Sequence, residues 1–305
     1  MHSFGEELIA PANGIELAYQ EMGEPSGEPL MLVMGLATQM IAWDEGFCGM
    51  LVERGFRVVR FDNRDVGRST RIESAGVPSR VDMMIGRRAS APYLLRDMAA
   101  DTTGLMDHLG IDSAHVVGAS MGGMIAQTVA IEHPERVRSM VSIMSTTGSR
   151  WVGMPSRKAM AVLLGRPPRS RDAAIERAIK TFTIIGSPGY PLDEERLREV
   201  AGRSWDRGHS AAGVLRQLHA ISASGDRTQA LRRLDLPTTV IHGTRDPLVR
   251  PAGGRATARA IPAARLKMID GMGHDLPREL WPTFVEEIAA NAARAGAGVP
   301  AKQPA

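Results

Sequence analysis

His115-Val116-Val117-Gly118-Ala119-Ser120-Met121-Gly122 decides how this chain folds. A short branched-apolar run, read as a strand over His115 to Val117, leads straight into Gly-Ala-Ser-Met-Gly. A helical pattern then runs from Met121 to Glu132 and stops before Pro134. A serine on so tight a strand-to-helix turn projects its hydroxyl beyond the sheet. The small residues two before and two after it let the backbone bend that sharply. The run is not a mononucleotide loop, because Gly118 to Gly123 has no lysine and lacks the required spacing.

Outward from this turn the same alternation recurs. Ile15 to Gln20, Leu30 to Met34, Arg57 to Phe61 and Val137 to Met144 read as strands, and Glu45 to Arg54 reads as a helix. Leu95, Met98, Thr102, Leu105 and Leu109 form one helical stripe. Strands separated by helices of this length predict βαβ units and a mostly parallel α/β sheet. Between Thr146 and Leu234 the strand signal disappears. Helices are predicted there over Ala159 to Leu164, Asp172 to Ile185, Leu192 to Trp205 and Ala211 to Ser222. Strands resume at Thr238 to His242 and Arg265 to Ile269, before a last helix from about Leu280. The expected organisation is a core over residues 1–145, a helical cap inserted over 146–234, the rest of the core over 235–294, and a flexible tail over 295–305. An insertion between two sheet strands emerges at one end of the sheet, where ligands bind, so it is expected to act as a lid.

The chain has 305 residues, 43% of them hydrophobic, enough for a sizeable core. Its 37 basic and 34 acidic residues leave a net charge of +3, with no aromatic-interleaved basic run, so no nucleic-acid partner is expected. The single Cys48 excludes an intrachain disulfide and cannot alone hold a structural metal. No export signal or membrane span is visible, and a cytoplasmic setting is expected. Arg157 to Lys180 holds seven basic and two acidic residues, a local balance of +5 that reads as an exposed amphipathic face.

Serine attacks only when a base takes its proton, and the base needs an acceptor to hold its tautomer. Of the eight histidines, His274 in Gly271-Met272-Gly273-His274 follows the last predicted strand and reaches the sheet end that carries Ser120. It is the predicted base, with His242 as a rival inside a strand. Asp246 follows the penultimate strand and is the predicted orienting acid, with Asp270 as its rival. Backbone N–H groups of Met121, just after the serine, and of Leu36, in the turn Met34-Gly35-Leu36-Ala37, are placed to form an oxyanion hole. Trp43, Trp151, Met154 and Trp205 are candidate pocket walls, and His209 and His219 lie in the insertion where a ligand could touch them. Asp62 to Ser69 carries carboxylates, but two arginines interrupt it. It reads as a hydrogen-bonded turn, not a calcium loop.

These segments resemble the α/β-hydrolase superfamily, whose nucleophile, acid and base follow the chain order seen for Ser120, Asp246 and His274. The Leu32 to Leu36 loop, Asp62 to Ser69, Gly118 to Gly122 and Gly271 to His274 are similar to the group of bacterial carboxylesterases around aclacinomycin methylesterase. That resemblance implies an eight-stranded sheet with a helical cap, a bacterial setting, and cleavage of an apolar small-molecule carboxylic ester without cofactor or metal. Lactone or carbon–carbon bond hydrolysis, perhydrolysis, and ligand binding with residual hydrolysis are the alternatives. Met34-Gly35 stands where many relatives have His-Gly, which retains the backbone donor and leaves the substrate subclass open.

Overall fold

A computed structural model describes residues 3–296, apart from residue 164. Its strands are β1 (Leu8–Ala12), β2 (Ile15–Met22), β3 (Glu28–Val33), β4 (Phe56–Phe61), β5 (Ala114–Ala119), β6 (Val137–Ile143), β7 (Thr238–Gly243) and β8 (Ala264–Ile269). They form one eight-stranded sheet in the order β1-β2-β4-β3-β5-β6-β7-β8. The β1–β2 and β2–β4 pairs are antiparallel, and the others are parallel. In β3, Met31 and Val33 enter one core while Leu30 and Leu32 enter the other. Burial on both faces is why this strand reads as an unbroken apolar run.

The helices of the sheet domain are α1 (Glu45–Val52), α2 (Arg80–Ile85), α3 (Leu95–His108) and α4 (Met121–Glu132). Between β6 and β7 come α5 (Arg157–Leu163), α6 (Arg171–Ile185), α7 (Glu194–Arg207), α8 (Ala211–Ser224) and α9 (Thr228–Leu231). Helices α10 (Ala252–Ala260) and α11 (Trp281–Gly296) complete the fold. Residues of α3, α4 and α10 pack into one core, and those of α1 and α11 into the other. Side-chain caps fix the starts of the inserted helices. Ser170 accepts from Ala173 N at 3.2 Å, Asp193 from Arg196 N at 3.0 Å and Ser210 from Gly213 N at 3.0 Å.

Four elements go beyond the sequence expectation: β1, the short helices α2 and α9, and α10. β1 pairs along the sheet edge and turns only Ala10 and Ala12 inward, so its hydropathy signal is faint. α10 begins at Pro251-Ala252-Gly253-Gly254, a run that looks like a loop. The predicted tail lies mostly outside the described residues, since α11 extends to Gly296. Among the described residues, no helix is long and apolar enough to cross a membrane.

Candidate active site

The chain runs from β3 outward to β4 and returns on the other side of β3 as β5, a topological switch at the carboxyl ends of parallel strands. Ser120 sits there with φ of +56°, between β5 and α4. A non-glycine residue pays for that conformation, and the surrounding packing enforces it. A Cβ on Gly118 would lie 2.1 Å from Gly122 O, and one on Gly122 would lie 2.0 Å from Val33 O. Both glycines are therefore required by close backbone approach.

Ser120 Oγ lies 2.9 Å from His274 Nε2, and His274 Nδ1 lies 2.7 Å from Asp246 Oδ2. A carboxylate can only accept from Nδ1–H, which leaves Nε2 as the acceptor for the serine hydroxyl. The other Asp246 oxygen, Oδ1, accepts from Leu248 N at 2.8 Å and Val249 N at 2.9 Å, which sets the carboxylate plane. Both Asp246 and His274 are buried. His242 is fully buried, and its Nε2 lies 2.7 Å from Val249 O and 3.5 Å from Asp246. Burial lowers its pKa, so it stands neutral behind the acid. Asp270 accepts from Thr244 Oγ1 at 2.8 Å, away from His274.

The Leu36 turn lies against the serine, for a Cβ on Gly35 would be 3.1 Å from Ser120 Cβ and 3.6 Å from Ser120 Oγ. Among the described residues, neither the Leu36 N–H nor the Met121 N–H has a protein acceptor. The turn is held on both sides. Asn63 Nδ2 donates to Met34 O at 2.9 Å, and Ala37, at φ of +59°, donates its N–H to Gln217 Oε1 at 2.9 Å. Gln217 Nε2 donates in turn to Arg64 O at 2.8 Å. Sequence reasoning missed this α8 glutamine; its one signal is a polar residue at a buried position of an otherwise apolar helical face.

Asp62 to Ser69 is a dense hydrogen-bonded turn. Asp62 Oδ1 accepts from Met40 N at 2.7 Å, and Oδ2 pairs with Arg207 at 2.8 Å. Asp65 pairs with Arg216 at 2.6 Å and accepts from Tyr93 Oη at 2.7 Å. Burial pushes the Asp65 carboxyl up, but its bonds to Arg216, Tyr93 and Ile72 N outweigh that and hold it below its ordinary value. No cluster of potential metal ligands is present among the described residues.

A cavity of about 1300 Å³ opens above Ser120 and His274, walled by both the sheet domain and the inserted helices. Trp43 contributes to its wall while stacking on Phe47 in the core at 5.8 Å. Trp151 and Met154 line its mouth and are exposed. Trp205 does not line it. On α7 the cavity receives Leu197, Val200, Ala201 and Ser204, and one residue further the side chain has turned away, so Trp205 stacks on His209 at 5.4 Å. His219 is also outside the lining, with Nε2 3.1 Å from Arg87 O.

The family model described as the alpha/beta hydrolase fold matches residues 28–277. The chain belongs to the α/β-hydrolase family. It is 26% identical to rhodomycin D methylesterase DnrP of Streptomyces peucetius over 300 residues, covering 91% of this chain and 95% of that protein. It is also 26% identical to 3-oxoadipate enol-lactonase 2 of Acinetobacter baylyi, covering 85% of this chain and 86% of that protein. Among solved structures, 2-hydroxy-6-oxo-6-phenylhexa-2,4-dienoate hydrolase from Rhodococcus sp. strain RHA1 shares the fold at a TM-score of 0.75. That match covers 95% of this chain and 99% of the other at 19% identity. This α/β-hydrolase thus has relatives that act on esters and lactones, and a structural neighbour named for a different substrate class.

Proposed function

We propose that the protein is a serine hydrolase of carboxylic esters, methyl esters included, working through an acyl-enzyme on Ser120. The observation that carries this is the hydrogen-bonded chain from Ser120 Oγ through His274 to Asp246, at the floor of a large cavity. The methylesterase relatives support an ester substrate over the other chemistries of the fold.

Ser120 Oγ attacks the ester carbonyl carbon as its proton passes to His274 Nε2. The carbonyl oxygen becomes an oxyanion that accepts from the N–H groups of Leu36 and Met121. Asp246 holds the imidazolium in place and offsets its charge. His274 then gives the proton to the departing alkoxide, releasing an alcohol and leaving the acyl group on Ser120. A water molecule gives a proton to His274 and adds to the acyl carbon. Collapse returns the proton to Ser120 Oγ and frees the carboxylic acid.

The test is a panel of short-chain, aryl and polycyclic methyl esters compared with lactones at equal protein concentration, followed by product analysis. Faster turnover of methyl esters than of lactones is expected. Preferential ring opening of lactones would overturn the ester assignment while leaving the nucleophile in place.

A further inference from the structure

The inserted helices are bonded to the catalytic loops on two sides of the cavity. From α6 and the loop after it, Ile185 O accepts from His274 N at 2.7 Å and Ser187 Oγ accepts from Gly273 N at 2.8 Å. From α8, Gln217 accepts from Ala37 N at 2.9 Å and Arg216 pairs with Asp65 at 2.6 Å. Lifting the cap as a unit would break all of these bonds at once. Between α2 and residues 149–156, exposed residues line the cavity and form a mouth to solvent.

That mouth is apolar. Met84 is 80% exposed and Trp151 92% exposed, and both line the cavity as well. Val81 and Ile85 are exposed beside them. Arg150 donates to Ile85 O at 2.9 Å and ties the two banks together. Large exposed apolar side chains grouped in this way mark an interaction surface. Residues 77–90 and 149–158 also carry six basic residues and one acid, Asp82, which pairs with Arg87 at 3.7 Å. Apolar residues beside a net excess of basic residues match an anionic lipid surface. A protein seated there would plug the cavity, whereas a bilayer delivers an apolar ligand into it.

We propose that the cavity mouth docks on an anionic lipid surface. Trp151, Met84 and Ile85 enter the headgroup boundary, and Arg87, Arg88, Arg157 and Lys158 face lipid phosphates. A lipophilic substrate then reaches Ser120 without crossing bulk water. That last step rests on the ester hydrolase reading; the docking itself does not.

The full chain is titrated with phosphatidylcholine vesicles and with vesicles containing about 30 mol% phosphatidylglycerol, following sedimentation and tryptophan fluorescence. Binding at least about tenfold tighter to the anionic vesicles is expected, weakening with salt. A blue shift is also expected that disappears in Trp151→Phe, because Trp43 and Trp281 are already buried and the half-buried Trp205 stacks on His209 away from the mouth. Val81→Ser/Ile85→Ser should weaken vesicle binding at least about fivefold. It should leave turnover of a water-soluble ester unchanged, since neither residue lines the cavity. Equal affinity for both vesicle types, binding without a blue shift, or wild-type binding by the double variant would each overturn the proposal. A concentration-dependent dimer that the double variant abolishes would assign the patch to a second copy of the chain instead. Because binding is read without turnover, failure of docking and failure of ester hydrolysis are separable results.

Discussion

Replacing Gln217 by leucine keeps the approximate volume of a fully buried side chain but removes both of its hydrogen bonds. The side-chain amide can point only one way, because Ala37 N–H needs an acceptor and Arg64 C=O needs a donor. Leucine leaves the Arg64 carbonyl buried and unpaired, at roughly 1–3 kcal/mol, while the N–H of the exposed Ala37 loses its acceptor and turns to water. The Leu36 turn can relax by shifting Ala37 away from α8, and Leu36 N–H moves with it. Outright loss of one oxyanion donor costs roughly 10²–10³ in kcat, so a displaced donor should cost roughly tenfold to a hundredfold. The assay is kcat and KM on p-nitrophenyl acetate, with binding of a trifluoromethyl ketone that forms a tetrahedral adduct at the serine. The expected result is a lower kcat, KM changed less than about threefold, and weaker ketone binding in proportion to kcat. A variant that melts earlier yet keeps kcat within about twofold would refute the link from α8 to the oxyanion turn.

Asp65 has a pKa below its ordinary 3.8, so the folded state binds that proton more weakly than the unfolded chain. Its stabilisation is full above the unfolded value and lost as pH falls through the folded one; urea midpoints of Asp65→Asn should therefore decline less steeply than wild type between about pH 5 and pH 2.5. A parallel decline would contradict this. Cys48 is fully buried, and burial pushes its thiol up to about 12, so iodoacetamide should label the native protein hardly at all and the urea-unfolded chain fully. Neutralising the exposed Arg166, Arg169 and Arg171 should change turnover of a neutral ester less than about tenfold; a larger loss at unchanged KM would reveal a role in closing the cavity.

What was legible in the sequence was local. Gly118 to Gly122 announces the turn at Ser120 because the required small residues are adjacent in the chain. That Asp246 and His274 meet was readable because each follows a strand and reaches the same sheet end, but Asp270 follows β8 too, and only its bond to Thr244 sets it apart. Gln217 was not readable, since its partners lie 180 and 153 residues away and no short pattern encodes them. Trp205 failed as a pocket wall because helical spacing reveals an apolar stripe but not which neighbour that stripe meets. α10 was hidden by Gly253-Gly254, and Gly254 is there because a Cβ would lie 2.4 Å from His242 Nδ1. The glycine that obscures the helix in sequence is the one that lets it pack behind the acid.

Intact-protein mass spectrometry during ester turnover, with peptide mapping of the trapped species, tests the proposed chemistry most directly. Rapid quenching with a slow-deacylating aryl ester should give a mass increase equal to the acyl group, mapped to Ser120. Ser120→Ala should show no adduct and a rate loss of roughly 10⁴-fold or more, and His274→Ala added to it should cost little further. Turnover by Ser120→Ala near the wild-type rate, or an acyl group mapped to another residue, would contradict the assignment of the nucleophile.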